Sequence, residues 1–78
     1  MLADPILCGK YRHYKNEQLY EVIGLAHHSE TLEDMIVYRA LYHSDKFGDN
    51  QLWVRPMQMF FEQVIHNGLA VPRFQRIE

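Results

Sequence analysis

Short stretches of β-prone residues follow one another along this chain and are separated by polar ones. Aromatic and β-branched side chains alternate there with polar side chains, which is typical of strands. The pattern predicts strands at 10–14, 19–28, 35–42 and 51–55. The polar run Lys15-Asn16-Glu17-Gln18 lies between the first two strands, so it predicts a hairpin that closes around Asn16.

The second predicted strand is largely apolar on both faces. If alternation is unbroken, one face carries Tyr20, Val22, Gly24 and Ala26. A glycine in the middle of a strand commonly marks a bulge or a sharp bend. Gly24 therefore predicts a strand that bends and serves two sheets of a small barrel.

Two polar connections surround the third predicted strand. The run Ser29-Glu30-Thr31-Leu32-Glu33-Asp34 has the spacing of a helix capping box, with Ser29 or Thr31 as acceptor. It predicts one or two helical turns at most. The run from His43 to Asn50 is polar and predicts a loop, which we expect to be the most mobile element.

The last third of the chain contains a short helical turn and a hairpin. Pro56 has no N–H to give to a sheet, so it ends the fourth strand and begins a helical turn that reaches Phe60. The hairpin has strands at 61–65 and 69–74, joined by His66-Asn67-Gly68. Asn-Gly favours a tight primed turn, and Pro72 indicates that the last strand lies at an edge.

These elements predict a mainly β fold. We expect a small, strongly bent antiparallel sheet or SH3-like barrel of five to six strands with one short helical turn. The alternative is an α+β fold with a longer helix over 56–65, because helical spacing also fits Met57, Phe60, Phe61 and Val64. We expect residues 1–8 to form an N-terminal arm and residues 9–78 to form a single domain.

Composition and charge narrow the class of protein. Hydrophobic residues make up 47% of the 78 residues, which argues against disorder. A net charge of −2 argues against coating of nucleic acid by bulk electrostatics, although it allows a local basic patch. Cys8 is the single cysteine and no leader or membrane span is recognisable, so we expect a soluble, cytoplasmic protein without a disulfide.

An aromatic ring close to an arginine recurs three times, in Tyr11-Arg12-His13-Tyr14, Tyr38-Arg39-Ala40-Leu41-Tyr42 and Trp53-Val54-Arg55-Pro56. On neighbouring strands, such rings and guanidinium groups could form one platform that stacks on a flat partner or grips an anion. The candidate binding residues on this platform are Tyr11, His13, Tyr38, Trp53 and Arg55.

The arginines also have structural interpretations. Arg39 shares a strand face with Val37 and Leu41, so if that face is buried Arg39 needs a carboxylate partner. The available partners are Glu21, Glu30 and Glu62. Arg39 is therefore either part of an ion pair or an anion-binding residue. Arg55 shares a face with Trp53, so it either stacks on the indole or contacts a ligand.

Five histidines raise the possibility of a metal site or of acid-base chemistry. Their spacing does not favour a metal, and no glycine-rich phosphate loop is present, so we expect neither metal nor cofactor. A remote alternative is a small hydrolase with His13 or His28 as base and Glu30 as its orienting group. A turn capped by Ser29, with His28 bonded to the backbone, is the simpler interpretation.

Several motifs together resemble one family. They are Gly9-Lys10-Tyr11-Arg12-His13-Tyr14-Lys15, His28-Ser29-Glu30-Thr31, Val37-Tyr38-Arg39-Ala40-Leu41-Tyr42, Leu52-Trp53-Val54-Arg55-Pro56, Met59-Phe60-x-Glu62 and Val71-Pro72-Arg73-Phe74. From Gly9 to Phe74 the chain resembles the domain of unknown function 1653 family. The resemblance implies a small, mostly bacterial protein with an SH3-like barrel and brings no established activity. The loop from His43 to Gln51 looks longer than the family's usual turn.

The main functional hypothesis is a non-enzymatic binding module. Its aromatic and arginine surface would take a peptide, a nucleotide or a short single-stranded nucleic acid, and it would not act at a membrane. The alternative is a protein-protein interaction or homodimeric assembly domain that uses an exposed edge strand, either 69–74 or the arm Met1–Leu7. Both hypotheses leave the partner unidentified.

Overall fold

A computed structural model describes residues 8–78, so residues 1–7 of the N-terminal arm predicted over 1–8 lie outside the described residues. The elements are, in chain order, β1 (Gly9–His13), β2 (Leu19–His27), β3 (Asp34–Ala40), β4 (His43–Ser44), β5 (Gly48–Asp49), β6 (Leu52–Pro56), α1 (Met57–Phe60), β7 (Gln63–His66), β8 (Leu69–Pro72) and β9 (Phe74–Arg76).

The predicted mainly β fold is confirmed. Five strands form one antiparallel sheet in the order β6-β3-β2-β1-β9, and two small hairpins, β4-β5 and β7-β8, accompany it. Across residues 8–78 no strand ladder joins β6 to β9, so this sheet is open rather than a closed barrel. The longer helix over 56–65 is wrong, because α1 ends at Phe60. Within the described part of the chain, no helix is long and apolar enough to cross a membrane.

A bulge in β2 confirms the irregularity predicted at Gly24. Val22 lies opposite Tyr38 whereas Gly24 lies opposite Val37, so Ile23 is the extra residue between them. The bulge shifts the alternation of the strand by one position. The prediction that Gly24 shares a face with Val22 is therefore wrong, and Leu25 takes that place against the core.

The connections agree with the sequence in part. Between β2 and β3 the chain makes a tight turn instead of helical turns: the Leu32 N–H donates to the His28 carbonyl at 2.8 Å, and Leu32 itself has a φ of 64°. The polar run 43–50 contains the small hairpin β4-β5. The primed turn between β7 and β8 is confirmed by φ values of 54° at Asn67 and 79° at Gly68.

The core lies on one face of the main sheet and is mostly aromatic. Helix α1 brings Phe60 under this face, where its ring stacks on Phe74 with centroids 4.2 Å apart. Aromatic rings bury a large apolar area per residue, which suits a domain of this size. The buried residues are Tyr11, Tyr20, Val22, Ile36, Tyr38, Ala40, Phe60 and Phe74. We call the sheet face that carries them the inner face.

Candidate ligand-binding site

Strand register brings two of the three aromatic-arginine motifs together. Tyr38 in β3 lies opposite Trp53 in β6, and Ile36 lies opposite Arg55. Opposite residues point to the same side of a sheet, so Trp53 and Arg55 belong to the inner face with the buried Tyr38. Because β6 is an edge strand, that face is only partly covered there, and Trp53 keeps 37% of its surface exposed.

A hollow of about 260 Å³ opens beside these residues. We call it the tyrosine pocket. Its lining residues are His13, Asn16, Tyr20, Tyr38, Tyr42, Trp53, Arg55 and Phe74. Four of them, His13, Tyr38, Trp53 and Arg55, are among the residues singled out from the sequence.

The other four lining residues were not predicted as site residues. Tyr42 could have been found, because it lies four positions after Tyr38 and strand alternation places both on one face. Asn16 belongs to a turn, and Phe74 belongs to the opposite edge strand, β9. No local sequence pattern predicts that either residue lies near β6.

Arg55 is half-buried and has no anionic partner in the described part of the chain. Its Nε donates to the Tyr38 hydroxyl at 3.4 Å, and its guanidinium carbon lies 5.8 Å from the centre of the Phe74 ring. The Trp53 ring meets Phe47 edge-on at 5.2 Å, and no stacking of Arg55 on the indole is seen among residues 8–78. Among residues 8–78 no carboxylate forms an ion pair with Arg55.

Two tyrosines of the pocket are joined by a hydrogen bond. The Tyr20 and Tyr42 hydroxyls share a hydrogen bond of 2.7 Å. Burial and then this bond raise the pKa of Tyr20 from 10 to about 12. The Tyr20 hydroxyl therefore offers a hydrogen bond without adding negative charge to the pocket.

His13 closes the pocket on the β1 side. Its Nδ1 accepts a hydrogen bond from the Lys15 N–H at 3.2 Å, and its ring packs edge-on against Phe74 at 5.0 Å. Burial first, and then the charges of Arg55, Arg73 and Lys15, lower the pKa of His13 below 6.5. At neutral pH the ring is uncharged, and Nε2 carries its proton because Nδ1 accepts.

Two other residues singled out from the sequence lie away from the pocket. Tyr11 is a core residue, only 4% exposed, with its ring edge-on to Phe60 at 5.4 Å. Arg39 lies on the outer face of the sheet and pairs with Glu21, its cross-strand neighbour, at 3.6 Å. Of the two interpretations of Arg39, the ion pair is therefore the one observed.

His28 and Glu30 lie at the opposite end of β2 from His13. His28 Nδ1 accepts hydrogen bonds from the N–H groups of Glu30 and Thr31, which confirms its predicted backbone role. Ser29 does not cap the turn, because its hydroxyl donates to the Glu30 carboxylate. The Glu30 side chain is 83% exposed and lies 3.9 Å from the imidazole, so this pair is not enclosed in a cleft.

Two further hollows lie elsewhere on the surface. The first, about 390 Å³, shares the lining residue His13 with the tyrosine pocket, and we call it the second hollow. Its lining residues are Arg12, His13, Tyr14, Glu17, His66, Val71, Pro72 and Gln75. The other, about 420 Å³, carries Glu33 and Asp34 and lies beside α1. Residues 8–78 contain no cluster of three or more His, Cys, Asp or Glu placed to hold a metal ion.

Fold and site together define a small, mainly β protein with an aromatic pocket around one arginine that has no carboxylate partner within residues 8–78. The chain belongs to the family described as Protein of unknown function (DUF1653), whose model matches residues 9–76. The resemblance inferred from the sequence motifs is thereby confirmed.

A solved structure agrees with this family assignment. It is the crystal structure of a DUF1653 protein from Bordetella bronchiseptica, whose sequence is 33% identical to this chain. The two structures superpose with a TM-score of 0.79. The match covers 90% of this chain and 85% of that one. None of the curated proteins is significantly similar to the chain.

Proposed function

We propose that this protein is a non-enzymatic binding module whose tyrosine pocket takes a flat ligand with an anionic group, and that a nucleotide is the best-fitting class. The observation that carries the proposal is Arg55, which is half-buried beside three phenols and has no carboxylate partner among the described residues. A ligand anion would supply the missing charge.

The electrostatics of the pocket favour an anion. A guanidinium carries five N–H donors, and only one of those on Arg55 meets a protein acceptor across residues 8–78. No Asp or Glu of the described chain lines the pocket. The remaining donors suit a phosphate or carboxylate, which guanidinium groups bind through paired hydrogen bonds.

The size and lining of the pocket favour a single flat ring. Sites for drug-sized ligands enclose roughly 300–1,000 Å³, so a hollow of about 260 Å³ suits one ring better than a dinucleotide. Trp53 and Tyr42 provide aromatic surface, and a base stacked on an aromatic side chain gains about 1–3 kcal/mol. A nucleotide combines such a ring with a phosphate, whereas an extended peptide at a sheet edge would leave Arg55 unused.

Calorimetry with uridine 5′-monophosphate and with uridine tests the proposal. The phosphate should make the nucleotide bind more tightly than the nucleoside. Arg55→Ala should weaken nucleotide binding by about tenfold or more, because hydrogen bonds to charged groups contribute roughly 1.5–3 kcal/mol. The matched control is Arg39→Ala, which removes an arginine from the outer face and should leave the affinity unchanged.

Three results would contradict the proposal. One is equal binding of nucleotide and nucleoside by the wild-type protein, since Arg55 would then contact no anion. Another is an equal loss of affinity in Arg55→Ala and Arg39→Ala, since that would reflect net charge rather than the pocket. The third is failure of all nucleotides to bind, which would exclude the nucleotide class.

A second candidate function is self-assembly through the β7-β8 hairpin. Among the described strands β8 pairs only with β7, and the hairpin exposes Ile65 and Leu69 by 73% and 67%. An unpaired edge with apolar side chains is a typical surface for pairing with a second copy. Light scattering should then give a dimer that Ile65→Lys returns to a monomer. A monomeric wild-type protein at millimolar concentration would contradict this candidate.

A further inference from the structure

We infer that the second hollow is a neighbouring subsite of the tyrosine pocket, and that the two together bind a single-stranded nucleic acid of at least two nucleotides. This inference rests on the proposed function and extends it from one nucleotide to a short strand. The two hollows share His13, so a ligand that fills one reaches the border of the other.

Aromatic rings continue from the tyrosine pocket into the second hollow. The Phe74 ring contacts His13 at 5.0 Å, His13 contacts Tyr14 at 5.0 Å, and Tyr14 contacts His66 at 5.4 Å. The second hollow therefore has its own rings, Tyr14 and His66, and does not depend on those around Arg55. Successive stacking surfaces along a groove are what a single strand requires.

Basic side chains lie beside both hollows, Arg55 at the tyrosine pocket and Arg12 at the second hollow. Arg55, Arg73 and Lys15 act electrostatically on His13, and Arg12 lines the second hollow. These four are half of the chain's eight lysines and arginines, although the net charge is −2. Arg73 is already paired with Glu62 at 3.1 Å. Of these four cations, those without an ion pair among residues 8–78 are therefore Arg12, Lys15 and Arg55, against Glu17 in the second hollow. Such a local basic patch suits a phosphate chain.

The shape of the surface selects single strands over duplexes. In a duplex the faces of the bases are covered by their stacked neighbours, so rings inside a hollow can reach only unpaired bases. The phosphate and base chemistry is common to RNA and DNA, and the 2′-hydroxyl separates the two sources experimentally.

The test compares the affinity of the protein for uridine 5′-monophosphate with that for the 5′-phosphorylated dinucleotides of uridine and thymidine, at low salt. We expect the better dinucleotide to bind at least tenfold more tightly than the mononucleotide. His66→Ala, at an exposed position, should reduce that advantage to less than threefold. The control is His27→Ala, which should keep the advantage. His27 is also exposed, but it lies at the end of β2 opposite to His13.

Arg12→Ala is a second, independent variant. It removes a cation from the second hollow, so it should also reduce the dinucleotide advantage and make binding less salt-dependent. A ¹H–¹⁵N spectrum with the dispersion of the wild type confirms that each variant is folded.

The possible outcomes show whether the second subsite, the pocket or both are overturned. If the mononucleotide binds and the dinucleotide gains nothing, the second subsite is overturned while the pocket stands. If neither binds, both are overturned. An equal gain with a phosphoserine dipeptide would overturn the assignment to nucleic acid.

Discussion

Arg39 and Arg55 come from similar aromatic-arginine motifs on adjacent strands, yet the two faces of the sheet give them different surroundings. On the outer face, Arg39 pairs with Glu21 at 3.6 Å, and both side chains are more than 40% exposed. On the inner face, Arg55 touches Tyr38 and Phe74 and has no carboxylate partner within residues 8–78. The alternation of side chains along each strand therefore decides which of the two arginines is available to a ligand.

The comparison separates charge that stabilises the fold from charge that is free to bind. The outer-face pair is already neutralised, so an incoming anion would have to compete with Glu21. The guanidinium of Arg55 is held by a phenol and by an aromatic face, neither of which cancels its charge. The inner face therefore combines an aromatic core with the cation of Arg55, which no carboxylate of residues 8–78 neutralises.

The largest expected effect is a difference in stability between a variant of the inner face and a variant of the outer face. Phe60→Ala should destabilise the protein by about 3–5 kcal/mol, because it removes a fully buried ring that stacks on Phe74. Val54→Ala on the outer face, where the side chain is 60% exposed, should cost much less. Urea unfolding of both variants measures this difference. Equal losses would show that the outer face is also part of the core.

The effect of intermediate size is the dependence of the free energy of unfolding on pH. The pKa of Tyr20 is about 12 in the folded protein and 10 in the unfolded chain, so the folded state holds this proton more tightly. Its contribution to stability is fully present below pH 10 and is lost as the pH rises through 12, a loss of roughly 2 kcal/mol. Urea unfolding between pH 9 and 12 measures it. Tyr20→Phe lacks the titrating group and should lose less stability over this range.

The smallest expected effect concerns the outer-face ion pair. Glu21→Gln should change stability by less than about 1 kcal/mol, because exposed ion pairs contribute little and salt screens them. Thermal unfolding at low and high salt checks this. A larger loss, insensitive to salt, would mean that Arg39 and Glu21 hold the sheet together, which would remove the contrast with Arg55.

Much of the fold could be predicted from the sequence because its determinants are local. Asn67-Gly68 indicates the primed turn, Pro56 the end of a strand and the start of α1, and Gly24 the bulge. The bulge also limited the prediction, since one extra residue exchanges the faces of all later side chains in that strand. Leu25 therefore packs inward, although unbroken alternation placed it on the opposite face of the strand from Val22, together with Leu19 and Glu21.

The candidate site was predictable only in part because it depends on contacts between distant segments. Alternation places Tyr38 and Tyr42 together, but only the pairing of β3 with β6 adds Trp53 and Arg55. Phe74 comes from β9, a strand that the sequence merged with β8. The face on which Arg39 lies also depended on the register between strands.

The most direct test of the account is a ¹H–¹⁵N titration of the labelled protein with uridine 5′-monophosphate, following the Arg Nε–H and Trp53 indole N–H signals. The account predicts saturable shifts at Arg55 and Trp53, while the Arg39 signal stays in place. Shifts centred on Arg39, or no shift at Arg55 in the millimolar range, would contradict the claim that the unneutralised guanidinium of the tyrosine pocket binds the ligand.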